Sequence, residues 1–397
     1  MQALAHFPPA RAAGLARMTR FVPLAGADYA RRRNYDLGPG RHEHVSRLSP
    51  WLRRRLVTEE ELLAAVLGRH SARAAEKFVQ EVFWRAYWKG WLELRPAVWT
   101  AYRAGVLRAL DRVQAESGLR RDWEAACRGE TGIACFDAWA RELAETGYLH
   151  NHARMWFASI WIFTLRLPWE LGADFFLRHL LDGDPASNTL GWRWVAGLQT
   201  PGKTYLARAS NIEKYTGGRF RPEGLAAEAP PLDGPPPPPP RALPESGRWD
   251  PARPAGLLLT EEDLSPGHLF ERGFAPRATA VLSSIEGLSP LAVAPHVIAF
   301  AEGAIGDAAA RWEGRLGPVT RLSGVDQIDE WAAAHGLEQV VAPYPPVGPA
   351  ADALAGRDVI RVLRPYDAAA WPHATRGFFR FKPQIPALLN RILRPAA

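Results

Sequence analysis

Residues 73–95, RAAEKFVQEVFWRAYWKGWLELR, carry the strongest helical pattern in the chain. Phe78, Val82, Trp88 and Trp91 recur at helical spacing, with polar residues between them. Upstream, Thr58 with Glu61 is a capping-box pattern that opens the apolar run LLAAVLGRH. Helices are predicted over 99–116 and 134–147, and HNHARMWFASIWIF reads as one long buried helix ending before Pro168. Residues 1–30 show little periodicity and are expected to form a lead-in arm. No strand-like alternation occurs before residue 220, so this half is expected to be an all-α bundle.

The pattern then changes twice. Residues 226–254 hold six consecutive prolines, Pro235 to Pro240, and read as a stiff polyproline spacer extending about 3.1 Å per residue. An SH3-like partner for this run is the lesser alternative. From Gly256 onward short β-branched runs alternate with helical stretches: GLLLT, TAVLSSI, PVTRLS, QVVAPY and VIRVLRPY are the strand candidates. That alternation predicts a parallel, doubly wound sheet. The expected fold class is therefore multi-domain α and α/β. An all-α domain spans 1–225, a Pro-rich linker 226–254, and a smaller Rossmann-like parallel α/β domain 255–397.

Composition narrows the picture modestly. The 397 residues carry net charge +7, which permits nucleic-acid binding without requiring it, since an Arg- and Ala-rich bias explains the same excess. Two cysteines, Cys127 and Cys135, exclude a four-thiolate cluster and a disulfide framework; free thiols in a reducing cytosol are expected. No apolar run is long enough for a membrane span, and the first residues lack a signal-peptide core. The scattered His268, His296, His335 and His373 show no metal spacing, so no metal site is expected. Neither GxGxxG nor GxxxxGK[ST] occurs. Of sixteen Trp, twelve precede Gly224, so the two halves have different kinds of core.

Candidate chemistry concentrates between Tyr148 and Trp194. YLHNHARMWF sets Arg154, two His and Asn151 among aromatics, and DGDPASNTLGWRW sets Asp182, Asp184 and Asn188 ahead of two Trp. Charges seldom enter a core without a partner, so this mixture points to a buried flat-ring cofactor. The competing reading is a Trp-rich core with a surface Asp-Gly-Asp turn. Ser46 and Ser49 in HVSRLSPWL suit either a phosphate or an ordinary helix cap. Glu81, Trp84 and Arg85 fall within one helical turn, either as a working face or as an ion pair beside a core Trp.

Taken as a set, these residues resemble the FAD-binding helical domain of the photolyase and cryptochrome family. The resemblance runs from about Tyr29 to Phe220. VSRLSPWL resembles the family's serine-rich phosphate loop, Glu81-x-x-Trp84-Arg85 its Glu-x-x-Trp-Arg helix, and Gly147 to Met155 its Gly-Trp-Met-His-Asn-Arg-x-Arg-Met signature. Asp182 to Trp194 matches its Asp-Gly-Asp-x-x-x-Asn-x-x-Gly-Trp-x-Trp signature. The resemblance implies FAD as cofactor, with Tyr29, Ser46, Leu48, Ser49 and Arg85 on the ribityl and diphosphate, and Asn151 in the same cofactor-binding set. It implies an Arg154–Asp182 pair over the ring, Asp184 accepting from the flavin or adenine edge, and Asn188 beside flavin N5. Glu81 would bond a flipped DNA lesion, Trp84, Met155 and Trp194 would line its cavity, and His152 would face DNA. Trp192 and Trp169 would begin an electron chain.

Three departures stand out. The family's phosphate-gripping Arg is His152 here. The third tryptophan of the chain has no counterpart, the region holding Gln114 and Ala115. The N-terminal antenna domain is replaced by a C-terminal α/β domain in which VVAPYPPVGP and FFRFKPQIPALL loosely resemble part of it, leaving a second antenna chromophore open. The function implied is light-driven FAD-dependent repair of pyrimidine dimers in damaged DNA by a cytoplasmic monomer. A cryptochrome-like blue-light receptor without repair is the alternative, and a non-photochemical flavoprotein or DNA-binding scaffold the third.

Overall fold

The computed structural model describes residues 2–393. The first half is helical: α1 (Gln2–His6), α2 (Arg11–Phe21), α3 (Ala27–Arg32), α4 (Ser49–Arg53), α5 (Glu59–Arg69), α6 (Ala72–Glu93), α7 (Ala97–Ala115), α8 (Ser117–Arg128), α9 (Ala134–Thr146), α10 (Asn151–Ser159), α11 (Trp169–His179), α12 (Pro185–Val195) and α13 (Ala209–Tyr215). Thr58 caps α5 through the predicted reciprocal box with Glu61. Residues 2–30 are more ordered than the weak periodicity of this stretch predicts. Phe7, Phe21 and Tyr29 are buried, each packed on rings from elsewhere in the chain or from one another. These contacts are long-range, so no local period announces them.

The predicted long helix through Phe163 also divides. α10 stops at Ser159, and Ile160–Thr164 forms a π-helical turn. Trp161 is buried there, its indole N–H donating to the Pro168 carbonyl at 2.9 Å. A π-turn is a rare local insertion that often marks a functional region.

The second half holds β1 (Ala255–Thr260), α14 (Gly267–Phe270), β2 (Ala278–Leu282), α15 (Pro295–Leu316), β3 (Val319–Leu322), α16 (Ile328–Ala334), β4 (Gln339–Pro343), α17 (Pro349–Ala353), β5 (Ile360–Val362), α18 (Pro365–Ala370), α19 (Phe378–Phe381) and α20 (Ile385–Ile392). The five strands are parallel in the order β3-β2-β1-β4-β5, with Leu258 opposite Ala280 and Gly256 opposite Val340. All six residues of β1 are buried, as a central parallel strand requires. The order reverses between β1 and β4, the place where open α/β sheets present a crevice.

One face of the sheet joins the helical core in a continuous apolar cluster; a smaller cluster with Leu258, Ile328 and Trp331 covers the other. The proline-rich run has no helix or strand, yet it is tied down at several points. Leu232 N–H donates to Ala196 at 3.0 Å, Arg95 Nε to the Pro238 carbonyl at 3.0 Å, Arg241 N–H to Leu94 at 2.8 Å, and Gly247 N–H to Arg361 at 2.8 Å. It is a strap laid across both halves. Proline lacks an N–H, so the residues flanking the run make most of these bonds.

Candidate functional site

α10 and the turn before α12 bring the two signature charges together. Arg154 Nη2 donates to both oxygens of Asp182, at 3.1 and 2.9 Å, and Arg154 Nε donates to the Leu149 carbonyl at 2.9 Å. The side chains are 23% and 5% exposed, so the pair is neither on the surface nor sealed. The Arg154 guanidinium also lies 5.8 Å from the Tyr148 ring centre. His150 caps α10, its Nδ1 accepting from the His152 N–H at 3.2 Å. Burial pushes its pKa down to about 3, so it is neutral.

Asp184 caps α12, accepting from the Ser187 N–H at 2.8 Å. Its carboxylate stands 3.5 Å from Arg53 and 3.7 Å from Lys89. Burial alone would raise its pKa, but Lys89, Arg53 and Arg85 hold it well below the usual range. Asn188 Nδ2 donates to the Ala173 carbonyl at 2.8 Å, which fixes the amide and leaves its oxygen as an acceptor.

On α6, Glu81, Arg85 and Lys89 follow one another at i, i+4, i+8 and share a face. Glu81 pairs with Arg33, the residue that follows α3. Arg85 lies 3.9 Å from Glu59, yet its Nε and Nη2 are buried with no hydrogen-bond partner, as is Ser187 Oγ. Unsatisfied buried donors are costly, and at a candidate site they mark where a polar ligand is wanted. Tyr29 packs edge-on against Phe78 at 5.1 Å. Leu48 is buried, Ser49 opens α4, and Ser46 Oγ accepts from the Leu48 N–H at 3.3 Å. Between the two serines Arg47 sits at φ 54°, a left-handed backbone that a non-glycine adopts at a cost.

The aromatic candidates fall into separate groups. Trp84 stacks on Phe378 of α19, with ring centres 3.7 Å apart and planes within 13°, and also meets Trp88 and Tyr87. Trp194 stacks on Tyr205 at 5.6 Å, so each of these two indoles has its own partner. Asn151 is exposed at the start of α10, and Met155 is half-buried one turn on. His152 turns inward: Nδ1 is 2.9 Å from the Asn34 carbonyl and the ring stacks on Trp156 at 4.0 Å. Burial lowers its pKa, so it offers no cation near neutral pH.

Trp192 is buried against Phe176 at 5.1 Å and Trp161 at 6.2 Å. Gly172 makes room for both rings, because a Cβ there would lie 2.3 Å from Trp192 and 2.9 Å from Trp161. Trp169 meets Tyr102 at 5.7 Å, which meets Trp99 at 5.4 Å. A cavity of about 750 Å³ opens beside Trp169, between Phe163, Arg166 and the strap at Pro230.

Sequence reasoning missed two arrangements. Arg53, Arg54 and Arg55 are wholly buried where β1 ends, facing Glu261, Glu262 and Asp263. Arg53 makes a two-pronged pair with Glu262 at 2.5 and 2.6 Å, and Arg55 reaches Asp263 at 2.9 Å and Asp367 at 2.6 Å. Three arginines inside an apolar run were the available signal, since such a run needs buried acids to meet it. The second is Asp36, His42 and Glu142, buried with ligand atoms within 4.8 Å of one another. His42 Nε2 is 3.0 Å from Glu142 and Nδ1 3.8 Å from Asp36, so the imidazole bridges the carboxylates. Spacing along the chain gave no metal cluster; the fold brings Glu142 of α9 onto the loop that carries Asp36 and His42.

Residues 78–224 match the family model described as the FAD binding domain of DNA photolyase. The chain is 35% identical over 204 residues to the deoxyribodipyrimidine photo-lyase of Streptomyces griseus, covering 47% of this chain and 42% of that protein. It is 30% identical over 263 residues to that of Salmonella typhimurium, covering 64% and 52%, and 29% identical over 206 residues to that of Escherichia coli, covering 51% and 42%. The chain thus spans about half the length of the curated relatives it matches. A class III photolyase structure from Agrobacterium tumefaciens aligns at 27% identity with a TM-score of 0.43, over 52% of this chain and 43% of that one. At that score the alignment adds nothing to the fold assignment.

Proposed function

We propose, from the premise that its helical half belongs to the photolyase and cryptochrome family, that this protein binds FAD and uses light to reverse pyrimidine dimers in damaged DNA. One observation supports the cofactor above all others. Arg154 and Asp182, 28 residues apart, form a bidentate pair that remains partly open while Arg85 keeps two buried N–H groups unpartnered. A cation held over a flat ring and a second cation waiting for an anion fit a dinucleotide with a diphosphate.

In this reading Arg85, with the Ser46 and Ser49 hydroxyls, holds the diphosphate, while Tyr29 and Leu48 pack against the ribityl side. Asn151 joins the cofactor shell from the start of α10. Arg154 supplies positive charge over the ring and Asp182 keeps its guanidinium in place. Asn188, whose amide is fixed by its bond to Ala173, would offer its oxygen as an acceptor to the bound flavin. Asp184 acts at one remove: tied between Arg53 and Lys89, it sets the start of α12 and so the position of Asn188. Bound and reduced, the flavin supplies the light-excited electron that opens the dimer. Glu81 accepts from the flipped lesion once Arg33 yields, and Trp84, Met155 and Trp194 line its cavity; stacking returns about 1–3 kcal/mol per base against the cost of flipping. Trp192 and Trp169 begin the electron chain, with Trp161 and the Tyr102–Trp99 pair as aromatic continuations. Blue illumination of the reduced protein with dimer-containing DNA should restore intact pyrimidines; persistence of the dimers under light overturns the repair reading.

A blue-light receptor without repair is the second reading, and the inward, neutral His152 favours it, because that position offers DNA no charge. A light-dependent change in strap accessibility without dimer loss would support it.

A further inference from the structure

Phe379 is 84% exposed, the most exposed large apolar side chain among the described residues. It lies in α19 within the run Arg376-Gly377-Phe378-Phe379-Arg380-Phe381-Lys382. Phe378 and Phe381, three positions apart and so on one helical face, clamp α19 onto α6: Phe378 stacks on Trp84 at 3.7 Å, and Phe381 packs on Tyr87 at 5.8 Å and Phe83 at 6.1 Å. With that face buried, Phe379 and Arg380 must point outward. Consecutive Cα atoms are about 3.8 Å apart, so the exposed ring leaves the chain at the residue next to the one stacked on Trp84.

The surroundings of this ring are basic. Arg376 and Arg380 are exposed on either side of it. Lys77, seven residues before Trp84 on α6, is exposed on the same helical face. The nearby acids are engaged: Glu76 with Lys382 at 3.1 Å, and Glu81 with Arg33. One protruding ring among cations is too little apolar surface for a protein interface, which needs about 800 Å² per partner. It suits a nucleic acid, where aromatics take bases and guanidiniums take phosphates.

We infer that the α/β half supplies a DNA contact of its own: Phe379 stacks on a base of the strand entering at Trp84, and Arg376 and Arg380, joined by Lys77 from α6 of the helical half, hold the flanking phosphates. This rests on the reading that Trp84 lines the lesion cavity.

The test is dark binding of dimer-containing and undamaged oligonucleotides to the full chain by fluorescence anisotropy, over a series of salt concentrations. Phe379→Ala should weaken binding about five- to fiftyfold, and Phe379→Trp should restore it. Arg376→Ala with Arg380→Ala should make the salt dependence shallower by about two phosphate contacts. Each variant should keep the parent melting temperature and flavin absorbance, because the altered side chains are exposed. Wild-type affinity in Phe379→Ala overturns the inference, whether or not the protein repairs dimers. A dimer of chains lost in Phe379→Ala, with DNA binding unchanged, also overturns it and marks the patch as a self-interface. Binding that depends on Phe379 in a protein that never repairs would sink the repair reading and keep this one.

Discussion

Two clusters of arginine and carboxylate lie in this molecule, and they are built in opposite ways. At the junction of the halves, Arg53 and Arg55 are paired on nearly every nitrogen with Glu262, Asp184, Asp263 and Asp367, all buried. Glu262, which burial alone would raise, is held below its ordinary pKa by Arg53. Around α10 and α6, by contrast, Arg154 shares one carboxylate and keeps some exposure, and Arg85 keeps buried donors with no partner. Saturated charge is the mark of a fixed joint; unsaturated charge, retained at an energetic cost, is the mark of a ligand site. Arg54 is the exception within the joint. Its three nitrogens have no partner, and burial together with Arg53 pushes its pKa down to about 10.

The sharpest way to break this contrast is at the joint. Arg53→Met strands Glu262 in the core and should cost about 3–5 kcal/mol in urea unfolding, with much of the loss recovered by adding Glu262→Leu. An equal loss in the double variant would show that the pair is not what matters. Glu93, at the end of α6, tests the same boundary through pH. Burial pushes its carboxyl up to about 7, although the Val347 N–H and the Tyr344 hydroxyl donate to it at 2.5 and 2.9 Å. The folded pKa lies above the ordinary value of 4.5, so the native state keeps a proton that the unfolded chain releases. The stabilisation is complete below pH 4.5 and is lost as pH rises through 7. Stability should therefore fall by roughly 3 kcal/mol between pH 4.5 and 8, and Glu93→Gln should flatten the profile. A profile unchanged by that substitution would contradict the assignment.

Smaller effects are expected nearer the ligand site. Gly172→Ala places a methyl on Trp192 and Trp161, and should destabilise by about 1–3 kcal/mol and slow flavin photoreduction. Wild-type melting and photoreduction in this variant would show that the rings have slack. Arg154→Ala should cost only about 1 kcal/mol of stability but weaken FAD binding at least about tenfold, since charge-assisted bonds to a ligand are worth more than a partly exposed ion pair. A stability loss as large as that of Arg53→Met would erase the distinction between joint and site.

The sequence displayed these regions unequally. The four motifs were legible because their residues are close in the chain, and a short spacing on a helix dictates who meets whom: Glu81 and Arg85 on one face, Thr58 on Glu61. The parallel sheet was legible from strand and helix alternation. The burial of Phe7, the tying-down of the proline strap, the Asp36–His42–Glu142 bridge and the Phe378–Trp84 stack were not, because each joins segments far apart in the chain. The π-turn at Ile160 was hidden for a different reason: one inserted residue shifts the helical phase without changing the apolar character of IWIF.

The account depends most on the flavin site, and direct titration of the purified chain with FAD tests it. Absorbance should show one FAD bound per chain, with affinity falling at least about tenfold in Arg154→Ala and in Asp182→Ala while both remain folded. Failure of the folded chain to take up FAD, or uptake with the same affinity in both variants, would contradict it.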